Sequence, residues 1–199
     1  MAKREKTTRQ TLAKYFKLLG VEVINKQNRL KFDNTVFDSI DTEEKAYWLG
    51  FIFADGCISS SPLEENKKPK YTLEVSLKAD DAKHLEKLNT FMKYEKNGVK
   101  IQDVKCGAVI CKRCRWIITN KHLWEVLNNY GCTPKKSLTL KFPDESIFKS
   151  KDLIRHFIRG YFDGDGCFSR QLHNIIVSPT VGFIGTKYFL EKILYYSDI

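Results

Sequence analysis

The chain has no run of about 18 apolar residues, the length that a membrane-crossing helix needs. Its first ten residues, MAKREKTTRQ, lack the apolar stretch of a secretory signal. Both absences point to an intracellular protein, in the cytoplasm or a host-cell nucleoid, with no membrane partner. In that setting the six cysteines are expected as reduced thiols and not as a disulfide framework. The four histidines, His84, His122, His156 and His173, show no H-x-x-x-H or Cys/His spacing, which argues against a histidine nuclease centre. A Gly-rich phosphate loop and a serine nucleophile elbow are also missing.

Acidic residues are scarce relative to basic ones. Lys and Arg number 34 against 24 Asp and Glu, a net charge of +10, which suggests a polyanionic partner, nucleic acid before membrane. At 42% hydrophobic and 29% charged residues the composition is that of a folded globule. Its 199 residues suffice for one large or two small domains.

The excess charge is concentrated at the front. Residues 1–31 hold nine basic side chains and two acids, Glu5 and Glu22, so +7 of the +10 lies there. Within it, TRQTLAKYFKLLGVEVI places Leu12, Tyr15, Phe16 and Leu19 on one stripe of a short helix, with Gly20 as its stop. The segment resembles the recognition half of a helix-turn-helix, although the preceding helix is missing. Arg9, Lys14, Lys17, Lys26 and Arg29 are the DNA-contact candidates of this arm; a solvated basic helix is the alternative reading.

The strongest feature is an internal repeat. Residues 47–59, YWLGFIFADGCIS, align without a gap on residues 157–169, FIRGYFDGDGCFS. Gly50/Gly160, Asp55/Asp165, Gly56/Gly166, Cys57/Cys167 and Ser59/Ser169 are identical pairs at an offset of 110. LEKL at 85–88 answers LEKI at 190–193 at an offset of 105, and the difference fits a longer loop, SPLEENKKPK, in the first copy. Repetition over this distance predicts two similar units, neither able to bury its own face alone.

Each copy opens as a helix, the first capped by Thr42 with Glu43 and Glu44 in its first turn. Gly50 and Ala54, and likewise Gly160 and Gly164, are small residues four apart. Glycine inside a helix costs about 1 kcal/mol against alanine, so paired glycines at equivalent positions predict that the two helices pack on each other. Asp55 and Asp165 then fall at the helix ends, where carboxylates oppose the macrodipole. Packed side by side, the two acids approach one another and are expected to recruit a cation. Hard oxygen ligands beside a basic surface suit Mg²⁺ shared with phosphate.

These residues resemble the LAGLIDADG homing endonucleases. WLGFIFADG at 48–56 and IRGYFDGDG at 158–166 match the two copies of the motif, and GCTPKKSLTLKFP at 131–143 resembles the close of a family repeat. The resemblance implies a site-specific double-strand DNA endonuclease from a mobile element, in an intron, an intein or a free-standing gene. It makes Asp55 and Asp165 the metal-binding catalytic acids, with Mg²⁺ or Mn²⁺ as cofactor, and offers Lys136 as the basic catalytic candidate. The family's earlier motif acid is Phe53 in copy one and Asp163 in copy two, a position that serves packing or capping. The implied fold is α+β: two pseudo-twofold αββαββα units with antiparallel sheets in a pseudo-dimeric monomer.

That pattern divides the chain into a basic arm and linker at 1–42, a first repeat at 43–148 and a partial second repeat at 149–199. A complete second unit is expected to run to about residue 247, about 48 residues past Ile199, by the repeat offset. In copy one a helix is expected at 43–55, strands near 57–60 and 71–78, a helix at 81–94, strands near 98–105 and 107–119, and a helix at 121–130. In YTLEVSL the outward Thr72, Glu74 and Ser76 face solvent or DNA. The short second unit leaves two other readings open: a non-cleaving nucleic-acid-binding protein, either an intron-RNA maturase or a DNA-binding regulator, and a decayed remnant.

Cys111 and Cys114 form a C-x-x-C with Cys106 and Cys132 nearby. They sit in AVICKRCRWIITN, which reads as a strand, where this spacing sends the two thiols to opposite faces and disfavours zinc. Cys57 and Cys167 stand where small apolar strand residues are expected.

Overall fold

The architecture comes from a computed structural model, which describes residues 15, 18–20, 31–61, 69–107, 109–173 and 176–197. Contacts divide the chain into Met1–Lys31 and Phe32–Ile199. In the first part Tyr15 and Leu18 are helical, and the Leu19 amide donates to the Tyr15 carbonyl at 3.0 Å. Gly20 follows with φ of 64°, the left-handed conformation of a helix stop. Tyr15 and Leu19, two members of the expected apolar stripe, are exposed. The arm's contact candidates Arg9, Lys14, Lys17, Lys26 and Arg29 lie outside the described residues.

The second part begins its regular structure at α1, Glu43–Asp55. Thr42 caps it, its hydroxyl accepting from the Lys45 amide at 3.2 Å, and Glu43 and Glu44 occupy the positive first turn. Thr42→Ala is expected to cost about 1 kcal/mol of stability, read as a lower urea midpoint at unchanged slope. β1 (Gly56–Ser60), β2 (Tyr71–Lys78), α2 (Ala82–Phe91), β3 (Lys100–Cys106), β4 (Val109–Thr119) and α3 (Lys121–Asn129) complete the first unit. The second unit has α4 (Asp152–Asp165), β5 (Gly166–His173), β6 (Ile176–Phe183) and α5 (Lys187–Ser197). The fold is thus α+β with antiparallel sheets, as expected.

The first sheet has the order β1-β2-β4-β3, every pair antiparallel. Its inner face is set by alternation: Ile58, Leu73, Val75, Cys114, Trp116 and Ile118 are buried. Thr72, Glu74 and Ser76 take the other face, where Arg115 grips Glu74 through two nitrogens at 2.5 and 2.6 Å. The second sheet contains β5 and β6 alone among the described residues. Its consequence is visible at equivalent ladder positions. The Ile58–Leu73 pair is 1% and 2% exposed, whereas Phe168–Val181, its counterpart, is 63% and 56% exposed.

Two expectations are corrected by the backbone. The second helix ends at Phe91, short of residue 94, because Lys93 turns left-handed at φ 50°, while Ala79–Asp81 is a separate 3₁₀ turn. The offset change between the copies does not lie wholly in the 61–70 loop. Gly56 pairs with Val75 and Gly166 with Phe183, so the offset falls from 110 to 108 across the hairpin, and only then to 105 at the next helix.

Candidate active site

α1 and α4 meet along a seam that their glycines create. A Cβ at Gly50 would sit on the Phe157 carbonyl oxygen, 2.8 Å from its carbon and 2.9 Å from the Tyr161 amide nitrogen. A Cβ at Gly160 would sit on the Tyr47 carbonyl oxygen, 2.8 Å from its carbon and 3.0 Å from the Phe51 nitrogen. Tyr47 and Phe157 are equivalent in the repeat, and so are Phe51 and Tyr161. The contact is therefore self-complementary about a local two-fold axis, in the manner of an isologous dimer interface. Further along, a Cβ at Gly164 would sit on the Ala54 side chain and 3.0 Å from Asp55 Oδ2.

This seam carries both helix ends to one place. Asp55 and Asp165 close α1 and α4 and are each half-buried. Burial first, and then the Asp165 charge, push the Asp55 carboxyl up to about 6; Lys136 opposes them and Asp81 adds to the rise. Burial raises Asp165 as well, against the pull of Lys136 and of the Tyr161 hydroxyl. Lys136 begins a 3₁₀ turn, Lys136–Leu138, and its ammonium donates to the Ala54 carbonyl. A half-buried lysine thus stands where both carboxylates feel it, at the C-terminal end of α1 where a cation suits the dipole.

The donor set fits a divalent cation in chemistry, being two hard oxygen groups whose mutual repulsion a cation would relieve. Among the described residues no group of three His, Cys, Asp or Glu side chains forms a metal site. Any cation here would complete its shell from backbone, water or a phosphate. The C-x-x-C thiols take the expected opposite sides, Cys114 buried with Sγ donating to the Lys78 carbonyl at 3.0 Å and Cys111 partly exposed. Cys57 and Cys167 are exposed strand-start residues and not the apolar packing positions expected.

Asp55 opens into a groove of about 620 Å³, lined also by Phe51, Lys78, Asp81, His84, Arg113 and Asp163. Two of these, His84 and Asp163, form with Tyr47 a set that escaped sequence reasoning: the Tyr47 hydroxyl donates to Asp163 Oδ2 at 2.8 Å and lies 3.3 Å from His84 Nε2. Phe53, at the first-copy position matching Asp163, is fully buried against Phe157, ring centroids 5.2 Å apart. The groove's lining runs on, through Lys78 and Arg113, into the outer face of the first sheet. There Lys78 pairs with Arg113 and Lys100 with Arg115 across adjacent strands, a basic surface relieved by Glu74.

No family model matches the chain. It is 26% identical over 142 residues to the "Probable translation initiation factor IF-2" of Methanocaldococcus jannaschii, a match that takes in 69% of this chain and 10% of that protein. Among solved structures it is similar to I-DmoI in complex with DNA and Ca, at 18% identity and TM-score 0.44 over 83% of this chain and 72% of that one. It is similar also to the LAGLIDADG homing endonuclease I-GzeII in complex with its DNA target, at 16% identity and TM-score 0.40 over 72% of this chain. The chain spans 65% of the I-GzeII chain and a tenth of the initiation factor.

Proposed function

We propose that the chain is a LAGLIDADG-type endonuclease that hydrolyses phosphodiester bonds in double-stranded DNA at a specific site. The observation that carries this reading is the two-fold seam, which brings Asp55 and Asp165 to adjoining helix ends beside Lys136. Nothing in packing requires two half-buried carboxylates at the negative ends of two helices, where each is disfavoured. A phosphate backbone approached with a shared cation gives them a use.

In this reading residues 43–148 form one repeat, residues 149–199 a partial second, and residues 1–42 a basic arm. Asp55 and Asp165 hold the divalent cation, Mg²⁺ or Mn²⁺, which when bound polarises the phosphate and activates water. Lys136 offsets charge at the same point. Lys78, Lys100, Arg113 and Arg115 supply phosphate contacts from the outer sheet face, fixing the register of the duplex. Arg9, Lys14, Lys17, Lys26 and Arg29 of the arm are further candidates for phosphate contact.

One observation favours a second reading, that of a non-cleaving DNA- or RNA-binding protein. Among the described residues the second sheet holds β5 and β6, and its Phe168 and Val181 are exposed. The purified chain, incubated with DNA from its gene's own neighbourhood in Mg²⁺ and in EDTA, separates the two. Mg²⁺-dependent double-strand cuts at one site are expected. Salt-dependent binding of DNA or intron RNA with no cut product would establish the binder instead.

A further inference from the structure

The two-fold seam makes the two halves of the candidate site comparable residue by residue, and they differ in chemistry. In the groove beside Asp55 stand His84 and Asp163, which Tyr47 joins by hydrogen bonds. The counterparts of Tyr47, His84 and Asp163 are Phe157, Phe189 and Phe53, by the offset of 110 along the first helices and 105 at the LEKL/LEKI helices. The geometry repeats closely. The His84 ring lies 4.6 Å from Phe51, and Phe189 lies 4.4 Å from Tyr161; His84 to Tyr47 is 6.2 Å and Phe189 to Phe157 is 6.3 Å. Thus one triple is polar, with His84 and Asp163 lining an open groove and Tyr47 hydrogen-bonded to both, while the other is a set of three phenyl rings, each fully buried.

The polar triple has a direction. A tyrosine hydroxyl has one proton to give, and Tyr47 gives it to Asp163. The 3.3 Å approach of His84 Nε2 to the same oxygen is then a bond in which the imidazole donates. That fixes the tautomer of the neutral ring, leaving Nδ1 as its acceptor, and the rings of Tyr47, Trp48 and Phe51 box the imidazole in place. Lys87 on α2, Asp81 before it, and Asp163 and Arg159 on α4 are the charges around this cluster. The result is an oriented pair, His84 and Asp163, in the groove into which Asp55 opens, held in place by Tyr47. Phe53, Phe157 and Phe189 can neither donate nor accept.

We propose that Tyr47, His84 and Asp163 are positioning residues that order water at the Asp55 half-site alone, so that the two strands of a bound duplex are cut at unequal rates. The inference rests on the nuclease reading. The variants to make are Tyr47→Phe, which deletes one hydroxyl and keeps the ring, and His84→Phe, which installs the residue the second unit already carries at this place. The chain's own site is first recovered from a supercoiled plasmid library with randomised inserts. Each strand of that duplex is then end-labelled, and the two cleavage rates are followed separately. Both variants are expected to slow the same strand, by roughly tenfold or more relative to the other. Equal slowing of both strands marks a merely structural role and overturns the proposal while leaving the nuclease reading intact. A wild-type chain that cuts no library member overturns that reading and this inference with it.

A second readout needs no DNA. In the ¹⁵N-histidine-labelled full chain, His84 is expected as the Nε2–H tautomer, and Tyr47→Phe should release it into a mixture. A wild-type His84 carrying its proton on Nδ1 also overturns the proposal.

Discussion

Asp55→Asn and Asp165→Asn are each expected to reduce DNA cleavage roughly a thousandfold or more, as loss of a group holding a catalytic cation does, while binding to the same duplex is kept. The same substitutions should stabilise the protein. The folded-state carboxyl of Asp55 is raised from its ordinary 3.8 to about 6, so ionisation opposes folding. Its contribution to stability is fully present below pH 3.8, is lost as pH rises through about 6, and is absent at pH 7. At neutral pH the gain for Asp55→Asn is about 1 kcal/mol once solvent screening of a partly exposed site is allowed for. Opposite movements of activity and melting temperature distinguish a functional acid from a packing residue. An Asp55→Asn chain that cuts both strands and melts like the wild type removes the assignment.

Substitution of the seam glycines has the other large effect. Gly50→Ala or Gly160→Ala puts a methyl group onto a backbone carbonyl of the facing helix, which no rotamer change can relieve. Overpacking of ordinary side chains costs about 1–3 kcal/mol, and a backbone wedge belongs at or above the top of that range. For a protein of this size about 3 kcal/mol lowers the melting temperature by roughly 6–12 °C. Both variants are expected to lose at least that much, and by similar amounts, because the two contacts are two-fold equivalents. Calorimetry of the pair is the check, and a near-neutral Gly50→Ala would show that the helices do not approach as closely as this geometry requires.

The helix bounds of α1 were legible in the sequence because its ends are written locally, in the Thr42 cap, the acidic first turn and Gly56. β2 was legible because alternation is also local. The end of α2 was not, since no glycine or proline marks it. The stretch after it is organised by Asn89, whose side chain serves the Tyr94 carbonyl, the Gly98 amide and the distant Trp116 indole. Asp55 and Asp165 stood out through the repeat, but the polar triple did not. Its members lie 37 and 116 residues apart, and they break the repeat instead of following it. Setting Tyr47 against Phe157 and His84 against Phe189 is the signal that could have found them.

The reciprocity of the seam also separates what each copy was free to change after duplication. Where one helix meets the other's backbone, at Gly50 and Gly160, the neighbour is the same peptide group in both copies, and neither position can drift without wedging the pair apart. Where side chain meets side chain, a change in one copy is met by a partner in the other, Tyr47 by Asp163 and Phe53 by Phe157. Tyr47 could acquire a hydroxyl that Phe157 lacks, and Asp163 a charge that Phe53 lacks, without disturbing the axis. A helix pair of this kind holds its symmetry in the main chain and lets its side chains differ, one triple polar and the other apolar.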